Sequence, residues 1–149
     1  MEKEDKELLL KDLCARLPYG VKVAISHFDE DGNLKRISEP KIVDGYYDEK
    51  FTGPNCYGFS IREVKPYLRP MSSMTYEEKQ QFNTFGFEVI DHINANRELC
   101  PKYQVIETSN YINLIRIVDW LNAHYFDYRG LIPIGLAIEA PEGMYNLNK

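Results

Sequence analysis

Residues 21–64 contain several short runs in which apolar and polar side chains alternate, and a turn signal separates each run from the next. This period of two is typical of β-strands, because successive side chains point to opposite faces of a sheet. Asp31-Gly32 predicts a tight turn between the first two runs, since glycine adopts positive φ angles easily. The predicted strands are 21–26, 34–37, a third at 42–47 that is broken at Gly45, and 57–64. Short strands joined by tight turns favour a small curled antiparallel sheet or a half-open barrel.

An amphipathic helix precedes these strands and is expected to end at Pro18. Its apolar side chains recur at helical spacing and are Leu9, Leu10, Leu13 and Leu17. Polar side chains, Asp12 among them, take the other face. Cys14 falls on the apolar side, where we expect a small buried hydrophobe rather than a reactive thiol.

The second half of the chain predicts helices. Thr75 and Glu78 have the spacing of a capping box, in which each side chain accepts a hydrogen bond from the other residue's amide. The strongest helical pattern spans 109–125, with Gly130 as the expected stop. Its apolar stripe consists of Tyr111, Leu114, Ile115, Val118, Leu121 and Tyr125, and the opposite side holds Arg116, Asp119 and Asn122. Residues 85–106 fit a helix, a strand or a loop, and the tail 131–145 is expected to wrap over the core as ordered coil.

These patterns predict one α+β domain over residues 1–149. An N-terminal helix and a small curled antiparallel sheet or half-open barrel of about four strands occupy residues 1–70. Two or three helices pack on that sheet, so residues 71–149 form a mainly helical part with a coil tail. A chain of 149 residues is long enough to fold around one core without a metal or a disulfide.

Charge and composition exclude several functional classes. The net charge is −5, which argues against sequence-independent nucleic-acid binding. A weaker alternative is sequence-specific contact with a nucleic acid through Lys35, Arg36, Lys41 and Arg62. No apolar run approaches the roughly 20 residues of a membrane helix, and the first residues lack a signal-peptide core. Three widely spaced cysteines suit a reducing compartment. We therefore expect a cytoplasmic protein with no membrane partner, no metal site and no cofactor.

The densest polar cluster follows the long helix. His124, Asp127, Tyr128 and Arg129 lie within six residues, and His124 is a candidate general base with Asp127 orienting it. The structural alternative is that the histidine and the arginine cap the last carbonyls of the helix, while Asp127 holds the next turn or pairs with Arg129.

Aromatic residues make up 13% of the chain, and eleven of them are tyrosines. Tyrosine suits an interface because it buries a large area at low entropic cost. The candidate binding residues are Tyr46, Tyr47, Tyr57, Tyr67 and Arg69. The alternative is that these rings fill the core of a small barrel.

Three segments resemble a set of uncharacterised short proteins from anaerobic gut bacteria and their phages or integrated elements. They are 8–20 (LLLKDLCARLPYG), 64–78 (VKPYLRPMSSMTYEE) and 120–145 (WLNAHYFDYRGLIPIGLAIEAPEGMY). The resemblance implies no activity, cofactor or catalytic residue. An origin in mobile elements favours small adaptor or inhibitor proteins, whose function is binding.

Two hypotheses follow. The first is a non-enzymatic module that binds another protein or its own copy, and it predicts a contiguous exposed apolar patch. The second is a small enzyme or ligand-binding domain with a pocket at the end of the 109–125 helix, and it predicts that the side chains of His124–Arg129 converge on a concave site.

Overall fold

The structure is a computed structural model, and it describes residues 1–83, 87–93, 99–108 and 114–145. Three α-helices lie in these ranges: α1 (Lys3–Arg16), α2 (Tyr76–Asn83) and α3 (Leu114–Ala123). The strands are β1 (Val21–Phe28), β2 (Leu34–Ile37), β3 (Lys41–Val43), β4 (Gly45–Tyr47), β5 (Lys50–Gly53), β6 (Cys56–Phe59), β7 (Val64–Leu68), β8 (Phe87–Ile93), β9 (Leu99–Thr108) and β10 (Ile138–Glu139). Short 3₁₀ helices lie at Leu17–Tyr19 and Met71–Ser73.

The main sheet is a curled half-barrel with the strand order β10-β7-β1-β2, and β3 also pairs with β1. One face of β1 carries Val21, Val23 and Ile25, which are buried together with Leu9 and Leu13 of α1. The predicted α+β class, with an N-terminal helix on a half-open barrel, is confirmed. The pairing of β10 with β7 is parallel and joins the tail to a sheet whose other pairs are antiparallel.

Helix α1 differs from its prediction at two residues. Leu9 and Leu13 are buried as expected, but Asp12 is also fully buried, and it pairs with a buried Arg16. Cys14 is exposed, so the expectation of a buried thiol is wrong. Burial of one face of α1 around Asp12 and Arg16 turns Cys14 toward solvent, because residues two positions apart on a helix face different directions.

A smaller three-stranded sheet, β4-β5-β6, follows β3 in the chain. The predicted third strand is indeed broken, and it becomes β3 and β4. The predicted strand 57–64 is divided by a turn at 60–63 into β6 and β7, and β5 is an addition to the prediction. Gly53 lets β5 approach β3 closely, because a Cβ at this position would collide with the carbonyl oxygen of Ile42.

The second half contains more strand than predicted. Strands β8 and β9 form an antiparallel hairpin, so the description of 71–149 as mainly helical needs correction. The sequence of these strands contains Phe87, Val89, Val105 and Ile106, and β-branched and aromatic residues favour a pleated sheet over a helix. The predicted capping box is present: the Glu78 amide donates to Thr75 Oγ1 (3.2 Å), and the Thr75 amide donates to Glu78 Oε1 (3.0 Å).

Helix α3 buries only part of the predicted stripe: Leu121 is buried, Val118 packs against the core, and Tyr125, just after the helix, is buried as well. Ile117, Leu121 and Asn122 are buried, whereas Leu114 and Ile115 are 47% and 77% exposed. Apolar residues occupy neighbouring faces of this helix, and contact with Phe82 and Phe126 selects the face that carries Ile117 and Leu121. Tyr111, the first residue of the predicted stripe, lies outside the described residues.

The end of α3 is set by Tyr125 and not by Gly130. Tyr125 has a positive φ of 63°, its amide donates to the Asn122 carbonyl, and the next amide, that of Phe126, donates to the Leu121 carbonyl. These two bonds form a Schellman motif, which is usually built on glycine. The tail then returns over the core as predicted, burying Leu131 and Leu136.

Candidate functional site

His124 follows α3, and its ring is held against that helix. Its Nδ1 lies 2.8 Å from the carbonyl oxygen of Trp120, and its ring stacks on the Trp120 indole with 4.0 Å between centroids. A carbonyl oxygen only accepts, so this bond places the proton on Nδ1. The His124 ring is therefore held by a backbone carbonyl and an aromatic ring, both of Trp120.

Asp127 closes the turn that follows. Its Oδ1 accepts from the Leu131 amide (2.8 Å) and its Oδ2 accepts from the Ile132 amide (2.9 Å). Burial raises the pKa of the Asp127 carboxyl above its ordinary value, although the two amide hydrogen bonds act in the opposite direction. Both carboxylate oxygens are thus occupied by backbone donors, as the structural alternative expected.

Tyr128 and Arg129 point into a polar cluster on α1. The Tyr128 hydroxyl donates to Asn122 Oδ1 (2.9 Å), and Arg129 Nη2 donates to the same hydroxyl (3.2 Å). Arg129 Nε lies 3.2 Å from Asp12 Oδ1, a distance that makes an ion pair without the alignment of a hydrogen bond. These contacts tie the segment after α3 to the first helix.

The centre of that cluster is a buried ion pair that sequence reasoning missed. Arg16 Nε and Nη2 donate to the two oxygens of Asp12 at 2.9 and 3.0 Å, and Nη2 also donates to the Phe126 carbonyl (2.7 Å). Both side chains are fully buried. The available signal was the four-residue spacing of an acid and a base on one helix, and surface helices show the same spacing. The contacts join α1 to the segment after α3 and are structural in character.

A cleft of about 1020 Å³ is lined by residues from the start of α2 and from the tail. It brings together two of the predicted site residues, Arg69 and His124. The Arg69 guanidinium is already engaged: it donates to both oxygens of Glu78 (2.7 and 2.6 Å) and lies 4.2 Å from the centre of the Phe126 ring. Burial acts to raise the pKa of Glu78, but hydrogen bonds from Arg69 and Thr75 outweigh it and hold that pKa below its ordinary value.

The rim of this cleft is acidic. Its rim carries the exposed carboxylates Glu77, Glu139 and Glu142, which give it an acidic character. Among the residues that the structure describes, no group of three metal-ligating side chains is close enough to hold an ion. The cleft therefore combines an acidic rim with the engaged guanidinium of Arg69.

The predicted aromatic face is divided between the two sheets. Tyr46 and Tyr47 lie on β4, where Tyr46 packs on Phe51 (4.8 Å between centroids) and Tyr47 is 82% exposed. Tyr67 lies on β7, and its carbonyl accepts from the Tyr145 hydroxyl (2.7 Å). The side chain of Tyr57 lies outside the described residues. Arg69 belongs to the ion pair with Glu78 and not to a tyrosine surface.

A different apolar surface lies at the end of the β1–β2 hairpin. Phe28, Leu34 and Ile37 are 47%, 55% and 57% exposed. Phe28 pairs with Leu34, and Ser26 pairs with Ile37. Side chains of directly opposed residues share a face, and so do residues two apart on β1, so all three apolar side chains lie on one face. We call these three residues the hairpin patch.

The hairpin patch occupies the outer face of the sheet, opposite the core. Along β1, the side chains of Val23 and Ile25 point to the face opposite that of Ser26 and Phe28. Val23 and Ile25 are buried in the core together with residues of α1. A β-bulge between His27 and Phe28 shifts the pairing by one residue, and this shift brings Leu34 to the same face as Ile37. Without the bulge, residues three apart on β2 would face opposite sides.

The backbone of β2 is open along its outer edge. In the strand order β2 is terminal, and within the described residues it pairs with β1 alone. The Ser26 amide donates to the Glu63 carbonyl on the other side of β1, at 2.7 Å. Ser26 and Ile37 therefore form a non-hydrogen-bonded pair, which turns the N–H and C=O of Ile37 away from the sheet.

Comparison with protein-family models, curated proteins and solved structures gave no match to this chain. None of the described helices is long and apolar enough to cross a membrane.

Proposed function

We propose that this chain is a non-enzymatic protein-binding module and that the hairpin patch is its contact surface. The observation that carries this proposal is the placement of Phe28, Leu34 and Ile37 on one solvent-exposed face beside an open strand edge. Because these side chains are already about half buried, covering the remainder of each stabilises a complex by roughly 1 kcal/mol. Three such residues in one patch supply a compact core for an interface.

The contacts of the polar cluster support a binding role over catalysis. Asp127 accepts two backbone amides, Arg129 faces Asp12, and His124 is bonded to the Trp120 carbonyl. A catalytic base needs a free lone pair close to a proton it removes, and a partner that orients it. His124 keeps a lone pair on Nε2, but the carboxylate of Asp127 that would orient its ring is engaged in holding the turn after α3.

A comparison of two matched variants tests the proposal. The patch variant Leu34→Ser/Ile37→Ser removes two exposed apolar side chains of the hairpin patch, and the control variant Leu114→Ser/Ile115→Ser removes two exposed apolar side chains from α3. Each tagged protein is used to capture partners from native cell lysate, and the captured proteins are quantified by mass spectrometry.

We expect wild type and the control variant to capture the same stoichiometric partner, and the patch variant to lose it. Circular dichroism confirms that all three proteins are folded before capture. Retention of the partner by the patch variant, equal loss from both variants, or the absence of any stoichiometric partner of wild type would overturn the proposal.

The second candidate function is binding of a small cationic molecule in the cleft beside Arg69. The observation that favours it is the volume of about 1020 Å³ with a rim of three exposed carboxylates. Thermal-shift measurements with a panel of alkyl and aryl amines test it. An increase in melting temperature that Glu139→Gln/Glu142→Gln abolishes supports this function, and the absence of any shift contradicts it.

A further inference from the structure

We infer that the partner segment is an extended strand of another protein, added to the open edge of β2, in which apolar residues alternate with acidic ones. This inference rests on the proposed function and specifies the mode of binding and the chemistry of the partner. Pairing of a peptide with a sheet edge derives affinity from main-chain hydrogen bonds and specificity from alternate side chains. The residues of β2 indicate both the main-chain hydrogen bonds and the side chains that a partner strand would need.

The backbone groups of Ile37 supply the first hydrogen bonds. Its N–H and C=O point outward, because the opposing residue, Ser26, directs its amide to the carbonyl of Glu63, which immediately precedes β7. Within the described residues the outer side of β2 has no strand partner. A strand laid along this edge satisfies these groups and also covers apolar surface of the hairpin patch.

The two faces of β2 differ in chemistry, and this difference selects the side chains of the incoming strand. On the outer face lie Leu34 and Ile37. Arg36 pairs with His27 and therefore lies on the opposite face. Side chains of a new strand alternate between these faces. Those that adjoin Leu34 and Ile37 are expected to be apolar, and the one that adjoins Arg36 is expected to be acidic.

The same charges oppose pairing of β2 with a second copy of itself. A two-fold antiparallel self-pairing centred on Arg36 places this residue opposite Arg36 of the second copy. Like charges directly opposite each other destabilise a sheet. The partner is therefore a different protein with complementary charge.

The acidic turn of the hairpin limits where the partner carries its acidic residues. Asp29, Glu30 and Asp31 are exposed at the turn that joins β1 and β2, next to Leu34 but beyond the end of the strand. An acidic residue of the partner is attracted at Arg36 and repelled at this turn. We therefore expect acidic side chains over β2 and neutral or basic ones beside the turn.

Synthetic peptides test this inference on the intact chain. One peptide alternates valine and glutamate, and its matched control alternates valine and lysine. Binding is measured by isothermal titration calorimetry, and nuclear magnetic resonance follows the backbone amide of Ile37. We expect the glutamate peptide to bind and the lysine peptide not to bind, with the Ile37 amide shifted on binding and protected from exchange.

Reversal of the charge at residue 36 makes the test more specific. Replacing Arg36 with glutamate is expected to weaken the glutamate peptide roughly tenfold and to give the lysine peptide measurable affinity. The matched variant Arg116→Glu changes an exposed arginine on α3 and is expected to leave both affinities unchanged. Raising the salt concentration should weaken the wild-type complex, because the charges lie in solvent.

Three results would overturn the inference: no binding of the glutamate peptide at about 1 mM, equal binding of both peptides, or no effect of Arg36→Glu. The partner-capture comparison separates these failures from failure of the proposed function. If the peptides fail while the patch variant still loses its captured partner, the hairpin patch binds protein by another geometry. If the patch variant keeps its partner, both proposals are wrong.

Discussion

Asp12 and Arg16 lie one turn apart on α1 and face each other through two hydrogen bonds in the interior of the protein. Arg16 also donates to the Phe126 carbonyl, so the pair fixes the segment after α3 against the first helix. We predict that Asp12→Leu destabilises the fold by about 3–5 kcal/mol, because it leaves Arg16 buried without a counter-charge. Urea denaturation measures this change.

The double variant Asp12→Leu/Arg16→Met is the control for that prediction. Replacing both partners of a buried ion pair with apolar residues removes the uncompensated charge, so the double variant should be more stable than the single one. Arg129 loses its ion pair in both variants, but its side chain is partly exposed and can be hydrated. A double variant that is less stable than Asp12→Leu would contradict this account of the cluster.

The capping box at the start of α2 gives a second prediction. Removing the Thr75 hydroxyl leaves the Glu78 amide without its acceptor, and Thr75→Ala should cost about 0.5–2 kcal/mol of stability. The neighbouring exposed Ser72 is the control, because Ser72→Ala should change stability by less than about 0.5 kcal/mol. Equal effects of the two substitutions in thermal denaturation would show that the cap does not stabilise this helix.

Glu78 also gives the stability a predictable dependence on pH. Its pKa is lower in the folded state than in the unfolded state, so the unfolded chain binds more protons in the acid range. The contribution of the Glu78 carboxylate is therefore fully present above the ordinary glutamate pKa and is lost as the pH falls through the lower folded value. At neutral pH, Glu78→Gln should cost roughly 1.5–3 kcal/mol, a typical value for hydrogen bonds to a charged group.

Denaturation of wild type and Glu78→Gln at several pH values checks this prediction. The difference in unfolding free energy between the two proteins should shrink as the pH is lowered from 7 to about 3. Asp127 makes a contribution of opposite sign in both proteins, because burial raises its pKa, and this contribution cancels in the difference. A difference that stays constant over this range would contradict the assignment.

Local signals in the sequence were sufficient for several elements. The bounds of β2 are the predicted ones, the third strand is broken at Asp44, next to the predicted Gly45, and the Thr75–Glu78 box forms both of its hydrogen bonds. Each of these features is decided by residues a few positions apart, through turn chemistry, alternation or capping. Long-range contact was not needed to predict them.

Features decided by tertiary contact were not predictable in this way. A buried acid and base four residues apart on a helix look the same in the sequence as an exposed pair, so Asp12 was placed on the solvent face. The choice of Ile117 over Leu114 and Ile115 depends on where Phe82 and Phe126 pack. The β8–β9 hairpin depends on the pairing of its two strands, and the sequence of neither strand alone specifies that pairing.

The hairpin patch was also unpredictable from local sequence, because it depends on how two strands pair. Tyrosine content directed attention to Tyr46, Tyr47, Tyr57 and Tyr67, whereas the hairpin patch depends on a bulge that brings Leu34 and Ile37 to one face. A one-residue shift in strand pairing is not encoded by the alternation pattern, because both registers keep the same apolar content. The sequence resemblance to proteins of gut bacteria and their mobile elements stays a prediction.

The most direct test of the binding surface is site-specific photocrosslinking at Ile37 compared with Ile115, two apolar residues that are both exposed but lie on different elements. A benzophenone amino acid replaces each residue in turn, and the tagged proteins are irradiated in native cell lysate and separated by gel electrophoresis. A single adduct of defined mass from position 37, absent from position 115, is the result we predict. An adduct from position 115 alone, or the same adducts from both positions, would contradict the assignment of the hairpin patch as the contact surface.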